Sequence, residues 1–183
     1  MQRYKIVFSG PMGAGKTQAI RSLSEVTVVS TEAANTDIER HSKELTTVGM
    51  DYGEINIGND LKIGLYGTPG QDRFDFIWPI LVKGALGVVL IIDHSSPKAV
   101  AELEHYLSTF KKMYSGNMVI GISHVDENPD VSLSIYDHLL SQHQPLIPVF
   151  PVDLRVKQDV LLLVEVIIAR LEADQSLPQQ ETM

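Results

Sequence analysis

Cysteine is absent from the 183 residues. Disulfides and thiolate-held metals are therefore excluded, and a cytoplasmic protein is the expectation. Tryptophan occurs once, and the aromatics together make up only 7%. No long hydrophobic run is present: the longest, residues 84–92, is too short to span a bilayer. A secretory leader is not expected where Met1-Gln2-Arg3-Tyr4 runs straight into a strand-like stretch. Gln2 stands where myristoylation needs glycine, and no C-terminal cysteine is there to prenylate, so no intrinsic membrane anchor is expected. Positive charge is also scarce. Fifteen Lys and Arg face 23 Asp and Glu, a formal net charge of −8. Lys111-Lys112 is the only adjacent basic pair, so neither nucleic acid nor an anionic membrane surface is an expected partner. None of the six histidines shows metal-ligand spacing.

What is present is a globular composition, 44% hydrophobic, of a length that buries its own core. One domain over 1–174 is expected, followed by a polar tail over 175–183 that contains Pro178. Strand patterns alternate with helical ones. Residues 4–9 (YKIVFS) read as a buried strand and 17–23 as a helix. The apolar stretch 26–29 is too short to assign. Residues 51–57 alternate, with Ile55 and Ile57 on one face; Gly58-Asn59-Asp60 is turn chemistry, and 61–66 completes a hairpin. The continuous apolar run 85–93 suits a central parallel strand. Val100, Leu103, Leu107 and Phe110 give helical spacing over 98–113. A buried strand over 117–123, a helix over 133–142, a proline-flanked edge strand over 146–152 and a closing helix over 157–173 follow. Such alternation predicts an α/β three-layer sandwich whose ligand lies beyond the carboxyl ends of the strands.

Gly10-Pro11-Met12-Gly13-Ala14-Gly15-Lys16-Thr17 matches G-x-x-x-x-G-K-[ST] in full, between a strand and a helix. Glycines let the backbone curl so that successive N–H groups converge on an anion, and the helix brings its positive end to the same phosphates. Lys16 supplies a point charge toward the β- and γ-phosphates, and Thr17 a hydroxyl for Mg²⁺. The motif specifies a nucleoside triphosphate. It names neither the base nor hydrolysis.

From these residues the chain resembles the Ras-like small GTPases, and within them the prokaryotic MglA-like (gliding-protein) group, up to about Glu172. The resemblance implies a P-loop fold with a six-stranded, mostly parallel sheet and about five helices, a molecular switch binding GTP/GDP with Mg²⁺. Gly10, Gly13, Ala14, Gly15, Lys16, Thr17 and Gln18 would hold the phosphates. Thr47-Val48-Gly49-Met50-Asp51-Tyr52 resembles the first switch, from which Thr47, or alternatively Thr46, would bind Mg²⁺ together with Thr17. In the second switch, Gly67-Thr68-Pro69-Gly70-Gln71-Asp72-Arg73-Phe74, Gly70 would donate its N–H to the γ-phosphate. Gln71 would align the attacking water, making Gln71 and Lys16 the catalytic pair. Ser123-His124-Val125-Asp126 stands where the family carries N-K-x-D. The Asp126 carboxylate accepts from N1–H and N2–H₂ of guanine, donors that adenine lacks in that arrangement. Leu154, in Asp153-Leu154-Arg155, falls at the family's loose fifth motif. Partners implied by the resemblance are a protein regulator or effector, with Roadblock-type proteins suggested by the prokaryotic branch.

Four departures bear on activity. Gly67 replaces the aspartate that usually opens the second switch, as in the MglA-like group, and leaves Mg²⁺ short of a carboxylate; Asp93 either replaces it in part or only caps the turn at Ser95-Ser96-Pro97. Ser123 and His124 replace Asn and Lys. Met12 stands where glycine is frequent and predicts slow unaided hydrolysis. Arg40 and Arg73 are candidates for an internal arginine finger, their plainer reading being solvated surface charges. A non-hydrolysing nucleotide-dependent scaffold is the alternative. A small-molecule or nucleotide kinase would want an arginine-rich lid, and the sequence has no arginine cluster. Phe74, Phe76, Ile77 and Trp78 are either core or a partner surface.

Overall fold

Val88, Val89, Leu90, Ile91 and Ile92 are consecutive and all fully buried. A strand apolar on both faces has to be covered on both, and that requirement shapes the molecule. The computed structural model describes residues 2–30, 49–58, 61–70, 72–127, 132–142 and 147–176. Among the described residues are seven strands: β1 (Gln2–Ser9), β2 (Val29–Ser30), β3 (Asp51–Ile57), β4 (Leu61–Gly67), β5 (Gly87–Asp93), β6 (Asn117–Ser123) and β7 (Val149–Pro151). They form one sheet in the order β2-β3-β4-β1-β5-β6-β7. The pairings of β2 with β3 and β3 with β4 are antiparallel; the others are parallel.

Among the described residues five helices cover the sheet: α1 (Lys16–Leu23), α2 (Trp78–Val82), α3 (Ala99–Met113), α4 (Asp137–Ser141) and α5 (Lys157–Ser176). Strand alternation divides the core. Val7, Val88, Leu90, Ile92, Ile120 and Ile122 share one apolar cluster with residues of α2, α3 and α4. Ile6, Phe8, Val89, Ile91 and Val119 share the other with residues of α1 and α5. This is the expected three-layer α/β sandwich, with one strand more than the six expected. The extra strand is the two-residue β2, which borders β3 within a stretch too short for any period to mark.

Other differences are local. The expected helix over 133–142 is a 3-10 turn, Leu133–Tyr136, leading into the short α4. In α3 the buried face is Ala99, Leu103, Tyr106, Leu107 and Phe110, while Val100 is exposed. β7 is an edge strand, so Pro151, which lacks an N–H, withdraws no donor from the sheet interior.

The aromatic group after the second switch divides in two. Trp78 is fully buried and stacked on Tyr106 and Phe110, with ring centroids 5.1 and 5.3 Å away. Phe74 is also buried, whereas Phe76 is 62% exposed and Ile80 69%. Trp78→Ala removes the largest of these rings from a close-packed interior. A loss of about 3–5 kcal/mol is expected in urea unfolding, and a Phe76→Ala variant should stay close to wild type in the same measurement.

Candidate functional site

β1 ends at Ser9 and α1 begins at Lys16, so the loop 10–15 opens at the carboxyl edge of the sheet. Two of its glycines are required by geometry. Gly10 has φ +145°, and a Cβ there would fall 2.1 Å from the Ile91 carbonyl oxygen. Gly15 is left-handed at φ +99°, and a Cβ there would lie 2.4 Å from Leu154 Cδ1. No side chain caps α1. That leaves the positive end of the helix dipole to an anion.

Lys16 is buried, and its Nζ donates to the carbonyls of Gly10 at 2.8 Å and Pro11 at 2.7 Å. Gly70 rests directly on this loop: a Cβ there would come 2.7 Å from both Lys16 Nζ and Met12 N. The second-switch glycine and the phosphate loop are therefore in backbone contact. Met12 is 73% exposed, so its side chain stands out at the rim and does not fill the loop. The approach to Gly67 is fixed from β1. Thr68 N donates to Phe8 O at 2.9 Å, and the Ser9 and Thr68 hydroxyls are 2.8 Å apart.

Thr17 Oγ1 donates to Asp51 Oδ2 at 2.5 Å. Asp51 stands in the first-switch stretch, but the sequence reading gave it no role. Its signal was there: it shares strand parity with Ile55 and Ile57, which places a carboxylate on the inward face. Asp93 is occupied differently. Its Oδ1 accepts from Ser95 N at 2.9 Å and Ser95 Oγ at 2.6 Å and lies 3.4 Å from His124 Nδ1. It caps its turn and faces the imidazole, the plainer of its two readings.

A cavity of about 450 Å³ adjoins the loop. Gly15 and Gln18 form one wall; Ser123, His124, Val125, Asp126 and Glu127 form the second; residues 151–155 and Asp159 form the third. Ser123 does more than fill a motif position. Buried at the end of β6, its hydroxyl lies 3.1 Å from Ala14 O, 3.2 Å from Ile92 O and 3.0 Å from His124 Nδ1. One hydroxyl proton serves one acceptor at a time: given to Ala14 O it ties β6 to the phosphate loop, and given to Ile92 O it ties β6 to β5. His124 adopts a positive φ of 56°, which turns the chain out of β6 toward Asp126. On the third wall Asp153 is clamped by Arg155, through Nε at 2.8 Å, Nη2 at 2.7 Å and the backbone N–H at 2.9 Å. Those bonds, the side-chain ones foremost, hold the Asp153 carboxyl down at about 2. The Asp153 N–H is itself taken by Asp159 Oδ2 at 2.9 Å.

Gly10, Gly13, Ala14, Gly15, Lys16, Thr17 and Gln18 thus lie in the loop and the first turn of α1, with Gly70 upon them and His124, Asp126 and Leu154 around the adjoining cavity. Thr46, Thr47, Arg40, Gln71, Asn128 and Pro129, and the Arg73 side chain, lie outside the described residues. Among the described residues no group of three or more His, Cys, Asp or Glu is placed to hold a metal ion, and no helix is long and apolar enough to cross a membrane.

A phosphate loop between the first strand and first helix of a mostly parallel sheet, with a nucleoside-sized cavity walled by the ends of β6 and β7, defines a nucleotide-binding protein of the Ras-like P-loop class. The chain belongs to the family described as "Conserved hypothetical ATP binding protein", whose model matches residues 8–130. It is similar to the Ras-related protein Rab-18 of Lymnaea stagnalis, 29% identical over 146 residues, 74% of this chain and 68% of that protein. It is also similar to Rab-13 of Rattus norvegicus, 25% identical over 118 residues, 63% of this chain and 52% of the relative. Rab-8B of Homo sapiens is 26% identical over 124 residues, 64% of this chain and 54% of the relative. The chain thus spans about half the length of the last two.

Ser123→Ala leaves the carbonyls of Ala14 and Ile92 without the hydroxyl. The expected cost is about 1–3 kcal/mol in thermal or urea unfolding, with faster amide exchange across the loop 10–15 than in wild type.

Proposed function

We propose that this chain is a small guanine-nucleotide-binding switch that hydrolyses GTP slowly with Mg²⁺ and is stimulated by a protein regulator. The observation that carries the reading is Asp126 on the wall of a cavity that begins at Gly15 and Gln18 of the phosphate loop. A carboxylate beside a base pocket pairs with two N–H donors on one edge of guanine. Adenine would leave it facing an acceptor. The family is described as ATP-binding, while Ras-related proteins are among the chain's relatives, and the two point to different bases. The Asp126 carboxylate on the cavity wall favours guanine.

The residues present suit Mg²⁺. Thr17 and Asp51 offer oxygen donors and no acidic cage, as expected of a cation that shares its coordination with phosphates. When bound, Mg²⁺ would neutralise charge on the β- and γ-phosphates. Lys16 would carry positive charge to the transferred phosphoryl group, and Gly70, already in contact with the loop, would report the γ-phosphate through its N–H. Gln71 is proposed to orient water, by resemblance alone. The proposed G domain covers 1–174, and the expected tail over 175–183 overlaps the end of α5, which runs to Ser176.

Gly67 remains our reason for reading the chain as MglA-like and prokaryotic. The Rab relatives lend a Roadblock-type partner no support, so the regulator is proposed only as a protein. A non-hydrolysing scaffold is favoured by one observation: Ser123 Oγ and His124 Nδ1 face Ala14, Ile92 and Asp93 and so tighten the framework.

Calorimetric titration of nucleotide-free protein with GDP, GTP and ATP in Mg²⁺ tests the base assignment. Guanine nucleotides should bind, and Asp126→Ala should weaken them by about thirtyfold or more, as loss of a charge-assisted pair implies. Equal or preferential ATP binding would remove the guanine reading. Product analysis after long incubation with GTP, with and without a cell extract as the source of regulator, should show slow turnover that Lys16→Ala abolishes. No product under either condition leaves the scaffold.

A further inference from the structure

Among the described residues His124 is the one non-glycine with a positive φ, +56°. Its imidazole stands in a row of polar groups that runs from β5 to the phosphate loop. Asp93 Oδ1, fixed by two bonds from Ser95, lies 3.4 Å from Nδ1. Ser123 Oγ lies 3.0 Å from the same nitrogen. The carbonyl oxygens of Ala14 and Ile92 lie 3.1 and 3.2 Å from that hydroxyl, and carbonyls can only accept. Whether the Ser123 proton reaches them therefore depends on the state of Nδ1. An Nδ1–H donates to Oγ and leaves the hydroxyl proton for a carbonyl. A bare Nδ1 is a third acceptor and competes for it.

We propose that His124 is a positioning residue whose Nδ1 proton directs the Ser123 hydroxyl to Ala14 O, so that nucleotide retention depends on pH. The proposal rests on the nucleotide-binding reading above. Histidine side chains change charge between about pH 5 and 8. Charged, the ring carries N–H at both nitrogens, and Nδ1 can only donate. Neutral, it keeps one proton. With that proton on Nε2, which meets no partner among the described residues, Nδ1 becomes an acceptor. Falling pH thus secures the tie from β6 to the phosphate loop, and rising pH releases it. Charged groups face the ring from each neighbouring element: Asp93 on β5, Asp126 and Glu127 just after β6, Asp153 and Arg155 on the loop after β7, and Asp159 on α5. Arg155 is itself bonded to Asp153, and Asp93 is held by Ser95, so neither has to move when the ring titrates.

The test is release of a fluorescent GDP analogue, chased by excess GDP at fixed free Mg²⁺ from about pH 5.5 to about pH 8, together with long-range proton–nitrogen NMR of the histidine rings. Wild type should release the analogue about two- to tenfold faster at the alkaline end, the worth of one hydrogen bond. The His124 Nδ1 should pass from protonated to bare over the same range. His124→Asn suits the left-handed backbone and stays neutral throughout. Ser123→Ala keeps the imidazole and removes the hydroxyl. Both variants should lose the pH dependence, and the NMR of wild type keeps the test open if neither folds. Release that ignores pH in wild type, or an Nδ1 that stays protonated at the alkaline end, overturns the proposal. A pH dependence that survives in Ser123→Ala overturns it too, because His124 would then act on the nucleotide by its own charge; one that survives in His124→Asn belongs to another group and has the same effect. If wild type retains an ADP analogue and not GDP, the guanine reading fails and the same measurements on ADP decide His124. If it retains neither, both fall.

Discussion

The left-handed turn at Gly15 closes straight into the first turn of α1, and much of the molecule is arranged to hold it. Leu154, carried on the loop between β7 and α5, packs where a side chain at 15 would be. Ser123 ties the end of β6 to Ala14 from a third direction, and Gly10 presses on the backbone of β5. A loop whose N–H groups converge on an anion is under self-repulsion when empty, so it has to be braced from outside. Here the braces come from the carboxyl ends of several strands. That is why the sheet order matters to the site: only with β1 between β4 and β5, and β6 next in line, do those ends meet around one loop.

Much of this was legible from residue order. The spans of β3 and β6 follow from alternation at 51–57 and from the unbroken apolar run at 117–123, and the phosphate loop follows from its glycines and Lys16. What escaped was set by register and by close approach. Asp51 looked like the first residue of an amphipathic strand; its partner Thr17 is 34 positions away and meets it only because α1 packs on β3. Gly70 was read as a phosphate donor, but its contact with Met12 and Lys16 depends on where β4 ends in space. β2 was invisible because two residues carry no period. Val100 and Ala99 exchanged places in the core because helical spacing alone fixes a stripe only to within a residue.

Polar residues at the base side divide between recognition and construction. Ser123, Asp93 and His124 bind one another and the framework, and Arg155 and Asp159 bind Asp153. Asp126 is exposed in the same cavity. Motif positions that look alike in sequence therefore serve different ends, and replacement of Asn by Ser at 123 keeps a tie to the loop with a shorter side chain.

Lys16 holds a last consequence. Its ammonium already sits on two carbonyl oxygens of its own loop, buried from solvent. Much of the desolvation of that charge is therefore met on folding and not on ligand entry. An arriving phosphate exchanges one oxygen for another around a cation already held by carbonyls. The reorganisation on ligand entry is thereby reduced to a short swing of one side chain, with the cost transferred to the stability of the empty fold.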